Sequence, residues 1–354
     1  MFLKNKILII LLCTSGTYTF AQNDLYGGIE IGSKGIKMTV LEVDNIKRGN
    51  YTKIDSWSEN IGIAKGISID GKLAPEDIEK AAQVVITNLT KIRKVFKVVD
   101  KNIFVVGSSG VAMATNTDDL VKSIRKDTNK ELVFIDAQTE GKMLLKGCIP
   151  AKQYATSMVL DIGGGNTKGG YVDIDKDEFI FFPLSLNYGT ITLTESVLKK
   201  TKSINVSEFT EKSFEFLPIL RNQIQEMYNT KPEALEKENV YLSGGAAWAF
   251  YTLTNGESKT AFSLFKLEDV LYYDAVLKNN FQKYELLAET DKEVARVLKT
   301  YSQKYLISAS NLLLVCLEAI PKISNKKLYF AKEGQIAWLV SYVVDRAKNI
   351  KKIK

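Results

Sequence analysis

Two short turns carry the residues in this sequence best suited to chemistry. Glu30-Ile-Gly-Ser33 closes one apolar run, and Asp161-Ile-Gly-Gly-Gly165 closes another 131 positions later. In each, an acid ends a strand, small residues follow, and the chain returns in a second apolar run. Glycines let a turn approach a ligand with no Cβ in the way. Successive backbone N–H groups in such a turn form a concavity that suits an anion. An acid at the strand end can hold Mg²⁺, directly or through water. Two such turns from facing lobes would grip a phosphate chain from both sides. A single glycine turn is more often a tight hairpin than a phosphate site, so the pairing carries the argument.

A second pair supports the first. Val105-Val-Gly-Ser-Ser109 and Tyr241-Leu-Ser-Gly-Gly245 are both strands that end in small residues before a helix. Ser108 and Ser109 also read as a helix N-cap. Phe134–Gly141 and Phe330–Gly334 both place Glu-Gly after a strand. Order and spacing together imply an internal duplication. Histidine is absent, which excludes Ser-His-Asp and Cys-His catalysis and any His-ligated metal. Acid–base work must fall to carboxylates, lysines or tyrosines.

The elements that must position these turns follow from pattern. Leu25 to Val43 reads as two strands around a glycine turn, and Tyr51 to Ile69 as a third strand and a loop. Pro75-Glu-Asp opens a helix to about Phe96, with proline and acids in its first turn. Ile103–Gly107 and Leu132–Asp136 read as strands, with helices from Asn116 and Gln138. The second half repeats the plan with strands at Met158, Thr167–Ile174, Glu178–Leu186, Val240 and Leu328–Ala331. Helical spacing covers Thr190–Lys199, Ser213–Tyr228, most of Val270–Leu317, and Gln335 to about Arg346. Strands alternating with helices give an α/β class. The halves meet near Pro150–Ala155, giving a first lobe over 22–150 and a second, with helical additions, over 151–354.

Composition bounds the remaining possibilities. The chain has 354 residues, 45% hydrophobic and 25% charged, enough for two cores. Lys4 and Lys6, the apolar run Ile7–Cys13 and Thr19-Phe20-Ala21 read as a secretory signal peptide over residues 1–21. Export to a periplasm or the extracellular space is the expectation. No other stretch has the roughly 20 apolar residues a membrane span needs. Beyond the leader remain Cys148 and Cys316, expected as two buried thiols. The net charge falls from +7 to +5 without Lys4 and Lys6, a mild basic excess that suits a polyanion. Much of it lies near the C-terminus, from Lys326 to Lys354, and reads as a solvated, frayed helix. No motif asks for a nucleic-acid duplex, and a homodimer is compatible with the composition.

At these residues the sequence resembles the exopolyphosphatase and guanosine pentaphosphate phosphohydrolase (Ppx/GppA) family of the actin–hexokinase–Hsp70 superfamily. The strongest likeness is Leu160-Asp-Ile-Gly-Gly-Gly-Asn-Thr167, against a family pattern Asp-Ile-Gly-Gly-Gly-Ser-Thr-Glu. Ile29–Ile36, Val106–Asn116, Ile135–Gly147, Gly189–Glu195 and Val240–Leu253 resemble further family segments. The resemblance implies two ribonuclease H-like (actin-like ATPase) lobes related by duplication, with a cleft between them. It implies an exopolyphosphatase-like hydrolase acting on polyphosphate or a nucleotide-like ligand, with Mg²⁺ as cofactor. It makes Glu140 the base that orients water, and Asp161, assisted by Glu30, the Mg²⁺ ligand. It assigns phosphate contacts to Ser33, Lys34, Ser108, Ser109, Gly163, Gly164, Gly165, Asn166, Thr167, Lys168, Gly244 and Gly245. The departures are Glu30 for Asp, Asn166 for Ser, Lys168 for Glu, and Ala112 and Thr192 for arginines. Losing a bidentate arginine at a phosphate site is not conservative. Lys168 or Lys34 would supply replacement charge; Lys37 would do so too, but reads better as a plain surface lysine. A degenerate member that binds a phosphate compound or a partner protein without turnover is the competing expectation.

Overall fold

The computed structural model describes residues 24–33, 35–45, 50–63, 67–176, 178–182, 186–201 and 205–352. The leader, residues 1–21, and Lys34 lie outside them. The first lobe runs β1 (Asp24–Ile31), β2 (Gly35–Asn45), β3 (Asn50–Asn60), a single turn α1 (Ile67–Asp70) and α2 (Pro75–Lys94). It continues with β4 (Ile103–Gly107), α3 (Ser109–Ala112), α4 (Thr117–Thr128), β5 (Leu132–Phe134) and α5 (Ala137–Cys148). The second lobe opens with β6 (Ser157–Ile162), β7 (Thr167–Asp173), β8 (Glu178–Phe181), α6 (Thr190–Leu198), α7 (Val206–Phe214) and α8 (Leu217–Asn229). Then come β9 (Asn239–Ser243), α9 (Gly244–Asn255), β10 (Phe262–Phe265), α10 (Leu267–Asn279), α11 (Gln282–Ala288), α12 (Lys292–Thr300), α13 (Gln303–Glu318), β11 (Lys327–Ala331) and α14 (Ala337–Lys352).

The two sheets repeat one topology. The first has strand order β3-β2-β1-β4-β5, and the second β8-β7-β6-β9-β11-β10. In each, the opening three strands form an antiparallel meander, and the next two join parallel to the first. The second sheet adds only the antiparallel edge strand β10. The duplication expected from the paired turns is thus a duplicated α/β lobe, the actin-like ATPase fold.

Strand periodicity decides which side chains face the neighbouring lobe, because alternate residues point to opposite faces. On β1, Ile29 and Ile31 pack outward against α2 and α4, while Tyr26 joins the core between the lobes. On β6, Met158, Leu160 and Ile162 pack into the second lobe, while Val159 faces inward. Glu30 shares the parity of Tyr26, and Asp161 that of Val159. Both acids therefore lie on the inner face.

That inner core is built from α5 and α14, laid between the sheets. Helix α14 returns to the first lobe and packs on β1, where Gly28 is the residue that admits it. A Cβ at Gly28 would lie 2.5 Å from Val343 Cγ2 and 3.1 Å from Leu339 Cδ1. The C-terminal helix is therefore not a frayed, solvated end: Leu339, Val340, Tyr342, Val343, Val344 and Ala347 are buried. Of its basic residues, Arg346 is exposed and lies over Tyr342, and Lys348 is half-buried beside Asp345.

Three other expectations change. The helical run Val270–Leu317 divides into four, with Asp291 capping α12 through the N–H groups of Glu293 and Val294. The helix read over Ser213–Tyr228 breaks before Pro218, which sits in the first turn of α8. Strand β10 was not legible, because it has four residues with Leu264 exposed at the sheet edge. Cys148 and Cys316 are separate buried thiols. No described helix is long and apolar enough to cross a membrane.

Candidate active site

The residues singled out by type and spacing converge at the C-terminal ends of the central strands. Glu30 ends β1, Asp161 ends β6, Ser109 follows β4, and Gly244 follows β9. The matched turns share a geometry. Gly32 N donates to Gly35 O at 2.9 Å, and Gly163 N donates to Asn166 O at 3.1 Å. These positions differ by 131 in both lobes, as the repeat requires.

Glu140 stands in the first turn of α5. Asp136 caps that helix, accepting from Thr139 N at 2.8 Å and from Thr139 Oγ1 at 2.7 Å. A carboxylate in the first turn is favoured by the helix dipole. Within the same lobe, Ser109 donates to Glu140 Oε2 from its backbone N at 2.9 Å and from its Oγ at 2.7 Å. The other oxygen, Oε1, lies 3.2 Å from Lys168 Nζ. Burial alone would push the Glu140 carboxyl up. The Lys168 ammonium and the two Ser109 donors outweigh it and hold the group below the usual carboxylate range.

Lys168 comes from β7, directly opposite Asp161 in the β6–β7 ladder. Its Nζ is 4.0 Å from Asp161 Oδ2, while Ser243 Oγ donates to Asp161 Oδ1 at 3.0 Å. Burial would lower the lysine, but Glu140 and Asp161 raise it above its ordinary value. Lys168 thus joins the catalytic candidate of the first lobe to the acid turn of the second.

The first turn repeats the device. Lys37 lies opposite Glu30 in the β1–β2 ladder and donates to Glu30 Oε1 at 3.2 Å. Sequence reading favoured Lys37 as a surface lysine. The signal that would have found it is the seven-residue spacing it shares with Asp161 and Lys168. Glu30 is 3% exposed, and its Oε2 has no hydrogen-bond partner among the described residues. Burial raises its pKa, the Lys37 charge opposes this, and the nearby Glu140 adds to the rise.

The triple-glycine turn is held from behind. The carbonyls of Gly163 and Gly164 accept from Thr190, Ile191 and Thr192 at the start of α6. Thr192 Oγ1 donates to Gly165 O at 2.9 Å and accepts from Gly189 N at 2.9 Å. Where the family pattern has arginine, Thr192 is therefore a brace between turn and helix. With the turn's carbonyls so occupied, no hydrogen bond among the described residues uses the amides of Gly164, Gly165 or Asn166. Those amides are what an anion would meet.

Other candidates fare differently. Ser33 is exposed at the first turn and stands against Gly110 of the Ser108–Gly110 turn. Ser108 is buried and takes the N-cap position of α3. Thr167 is not a phosphate contact: it is fully buried and its Oγ1 donates to Tyr188 O at 3.0 Å. Gly244 has φ +91°, a conformation L side chains rarely adopt, and its Cα face abuts Ile162 O and Asp161 Oδ1. At Gly245 the Tyr301 hydroxyl stands where a Cβ would lie, so only glycine fits beside it. Beside Lys37, a cavity of about 290 Å³ opens between the lobes, lined by Lys53, Trp57, Trp248, Arg296 and Lys332 among others.

A divalent cation would need carboxylates free to converge on it. Here the expected ligands Glu30 and Asp161 are each paired with the lysine opposite, and the Lys168 ammonium stands beside both Asp161 and Glu140. Among the described residues no group of three or more acids or cysteines is arranged to hold a metal ion. The donor set does not fit Mg²⁺, because ammonium groups already occupy its partners.

The chain matches known proteins over most of its length. A model of the Ppx/GppA phosphatase family matches residues 42–296, and that family is generally divalent-metal dependent. A Haemophilus influenzae protein named as a candidate exopolyphosphatase is 25% identical over 141 residues, a stretch covering 40% of this chain and 42% of that relative. The crystal structure of an Aquifex aeolicus Ppx/GppA family member superposes with a TM-score of 0.66 at 18% identity, covering 93% of this chain and 98% of that one. An exopolyphosphatase from Cytophaga hutchinsonii superposes with a TM-score of 0.65 at 16% identity, covering 90% and 98% of the two chains. These structures share the fold.

Proposed function

We propose that this chain, which belongs to the Ppx/GppA phosphatase family, hydrolyses the terminal phosphate of inorganic polyphosphate or a related phosphate polyanion. One observation carries the reading. Glu140 is held at the cleft by Ser109 on one oxygen and an ammonium on the other, between the two glycine turns. Phosphoryl transfer needs mainly positioning, charge neutralisation and an oriented nucleophile.

The residues suggest a sequence of events. The terminal phosphate settles on the amides of Gly164, Gly165 and Asn166 and draws the Lys168 ammonium toward its oxygens. Glu140 Oε1 is then released to accept a proton from water, while Ser109 keeps Oε2 in place. The water oxygen bonds to the terminal phosphorus as the bridging P–O bond breaks. The shortened chain leaves with the bridging oxygen, and the proton on Glu140 passes to released phosphate. The rest of the chain runs toward the interlobe cavity with Lys37, Lys53, Arg296 and Lys332. The test is orthophosphate release from long-chain polyphosphate by the purified chain beside Glu140→Gln. Undetectable release, or release unaltered by the substitution, overturns the proposal.

A second reading has its own support. Both Glu140 oxygens are engaged, and Thr192 braces the turn where an arginine would contact phosphate. Under that reading the chain holds a phosphate compound without turnover, and binding would persist with no release. Export through residues 1–21 is part of the main proposal. Mass spectrometry of the N-terminus of the secreted protein tests it, and an intact Met1 would refute it.

A further inference from the structure

Each turn acid faces a lysine seven residues on. Glu30 and Lys37 are cross-strand partners in one ladder, and Asp161 and Lys168 in the other. One register, repeated 131 positions later, therefore produces both pairs. Lys168 Nζ stands 3.2 Å from Glu140 and 4.0 Å from Asp161, beside the two carboxylates a divalent cation would have to join. Lys37 takes Glu30 at 3.2 Å.

The charge count decides what this arrangement favours. Three carboxylates face two ammonium groups, and all three acids are at least 85% buried, so solvent screens them little. A carboxylate at position 168 would leave four acids beside one lysine, a cluster that calls for a divalent ion. Here the chain carries two positive charges of its own at that place. A lysine ammonium is a compact charge with three rotatable donors, so it can hold a carboxylate or turn to a phosphate oxygen. A second cation brought in on the substrate would meet like charge at short range.

Resting on the phosphohydrolase reading above, we infer that this chain takes its phosphate chain free of divalent cations, with Lys168 and Lys37 as fixed counter-ions. Magnesium then competes for the substrate and adds nothing to its binding. Lys168 is the residue that sets this preference.

The experiment is calorimetric titration of the full chain with imidodiphosphate, whose P–N–P bridge resists hydrolysis. It is run at constant ionic strength, first with EDTA and then with excess MgCl₂. The wild type should bind in EDTA and bind no more tightly with Mg²⁺. Lys168→Glu should bind at least about tenfold more weakly in EDTA, the loss expected for a charge-assisted contact, and recover with Mg²⁺. Lys168→Gln should lose the EDTA binding without that recovery. Wild-type binding that appears only with Mg²⁺ overturns the inference and leaves the hydrolase reading standing. Binding under neither condition overturns both. Electron paramagnetic resonance of added Mn²⁺ gives an independent readout that needs no folded variant. Free Mn²⁺ beside the unliganded wild type is expected, and a saturable protein-bound Mn²⁺ signal would overturn the inference.

Discussion

Replacing Lys168 by methionine tests the pairing on which the site rests. The ammonium lies 3.2 Å from Glu140 and 4.0 Å from Asp161. At an effective dielectric of about 20, those separations correspond to roughly 5 and 4 kcal/mol of gross attraction. Desolvation cancels much of this, since all three groups are largely withdrawn from water. Removing one partner of a fully buried pair typically costs about 3–5 kcal/mol. The Lys168 side chain keeps 20% of its exposure, so the expected loss is smaller, about 2–3 kcal/mol. Glu140→Gln should cost less, about 1–2 kcal/mol, because Lys168 keeps Asp161 and the Ser109 donors keep a partner. The double variant should fall short of the sum, since the two residues share one interaction. Urea denaturation followed by tryptophan fluorescence measures all four proteins. Equal stability of Lys168→Met and wild type, or strict additivity, would refute the pairing argument.

Other consequences are measurable. Glu140 has a lowered pKa, so its ion pair adds stability above the unfolded value of about 4.3 and loses it as pH falls through the folded value. The acid limb of kcat/KM should therefore lie below the usual glutamate range and rise in Lys168→Gln; a limb unmoved by that change would exclude Glu140 as the titrating base. Glu30 has the opposite sign: its raised pKa gives stability present below about 4.3 and lost as pH rises through the folded value. As pH rises above about 4.3 and through the raised folded value, the wild type should lose stability relative to Glu30→Gln, and parallel pH–stability curves would contradict this. Gly28→Ala should lower stability by about 1–3 kcal/mol through overpacking against Val343. An unchanged urea midpoint there would mean that α14 does not dock on β1.

The duplicated fold was legible because its signal is local. Each glycine turn follows an apolar strand, and strand parity puts Glu30 and Asp161 each on the face opposite its apolar neighbours. Lys37 was harder. Judged singly it is one lysine in a strand, and only the register shared with Asp161 and Lys168 shows that it faces an acid. Thr167 looked like part of the phosphate turn, but its hydroxyl is spent on Tyr188 O. Tertiary packing decides that, and no local pattern displays it. The return of α14 to the first lobe was hidden for the same reason. Its basic residues read as a solvated end, and the surface that its apolar stripe covers is set by Gly28, some three hundred residues earlier. Ser109 looked like a phosphate contact or cap, and the structure makes it the holder of Glu140.

The most direct measurement of the central claim is polyphosphate hydrolysis in ¹⁸O-enriched water, with wild type and Glu140→Gln side by side. Water oriented by Glu140 attacks the terminal phosphorus, so each orthophosphate released by the wild type should carry one solvent oxygen. The variant should release far less. Unlabelled orthophosphate, or a variant that releases labelled product at the wild-type rate, would contradict the account.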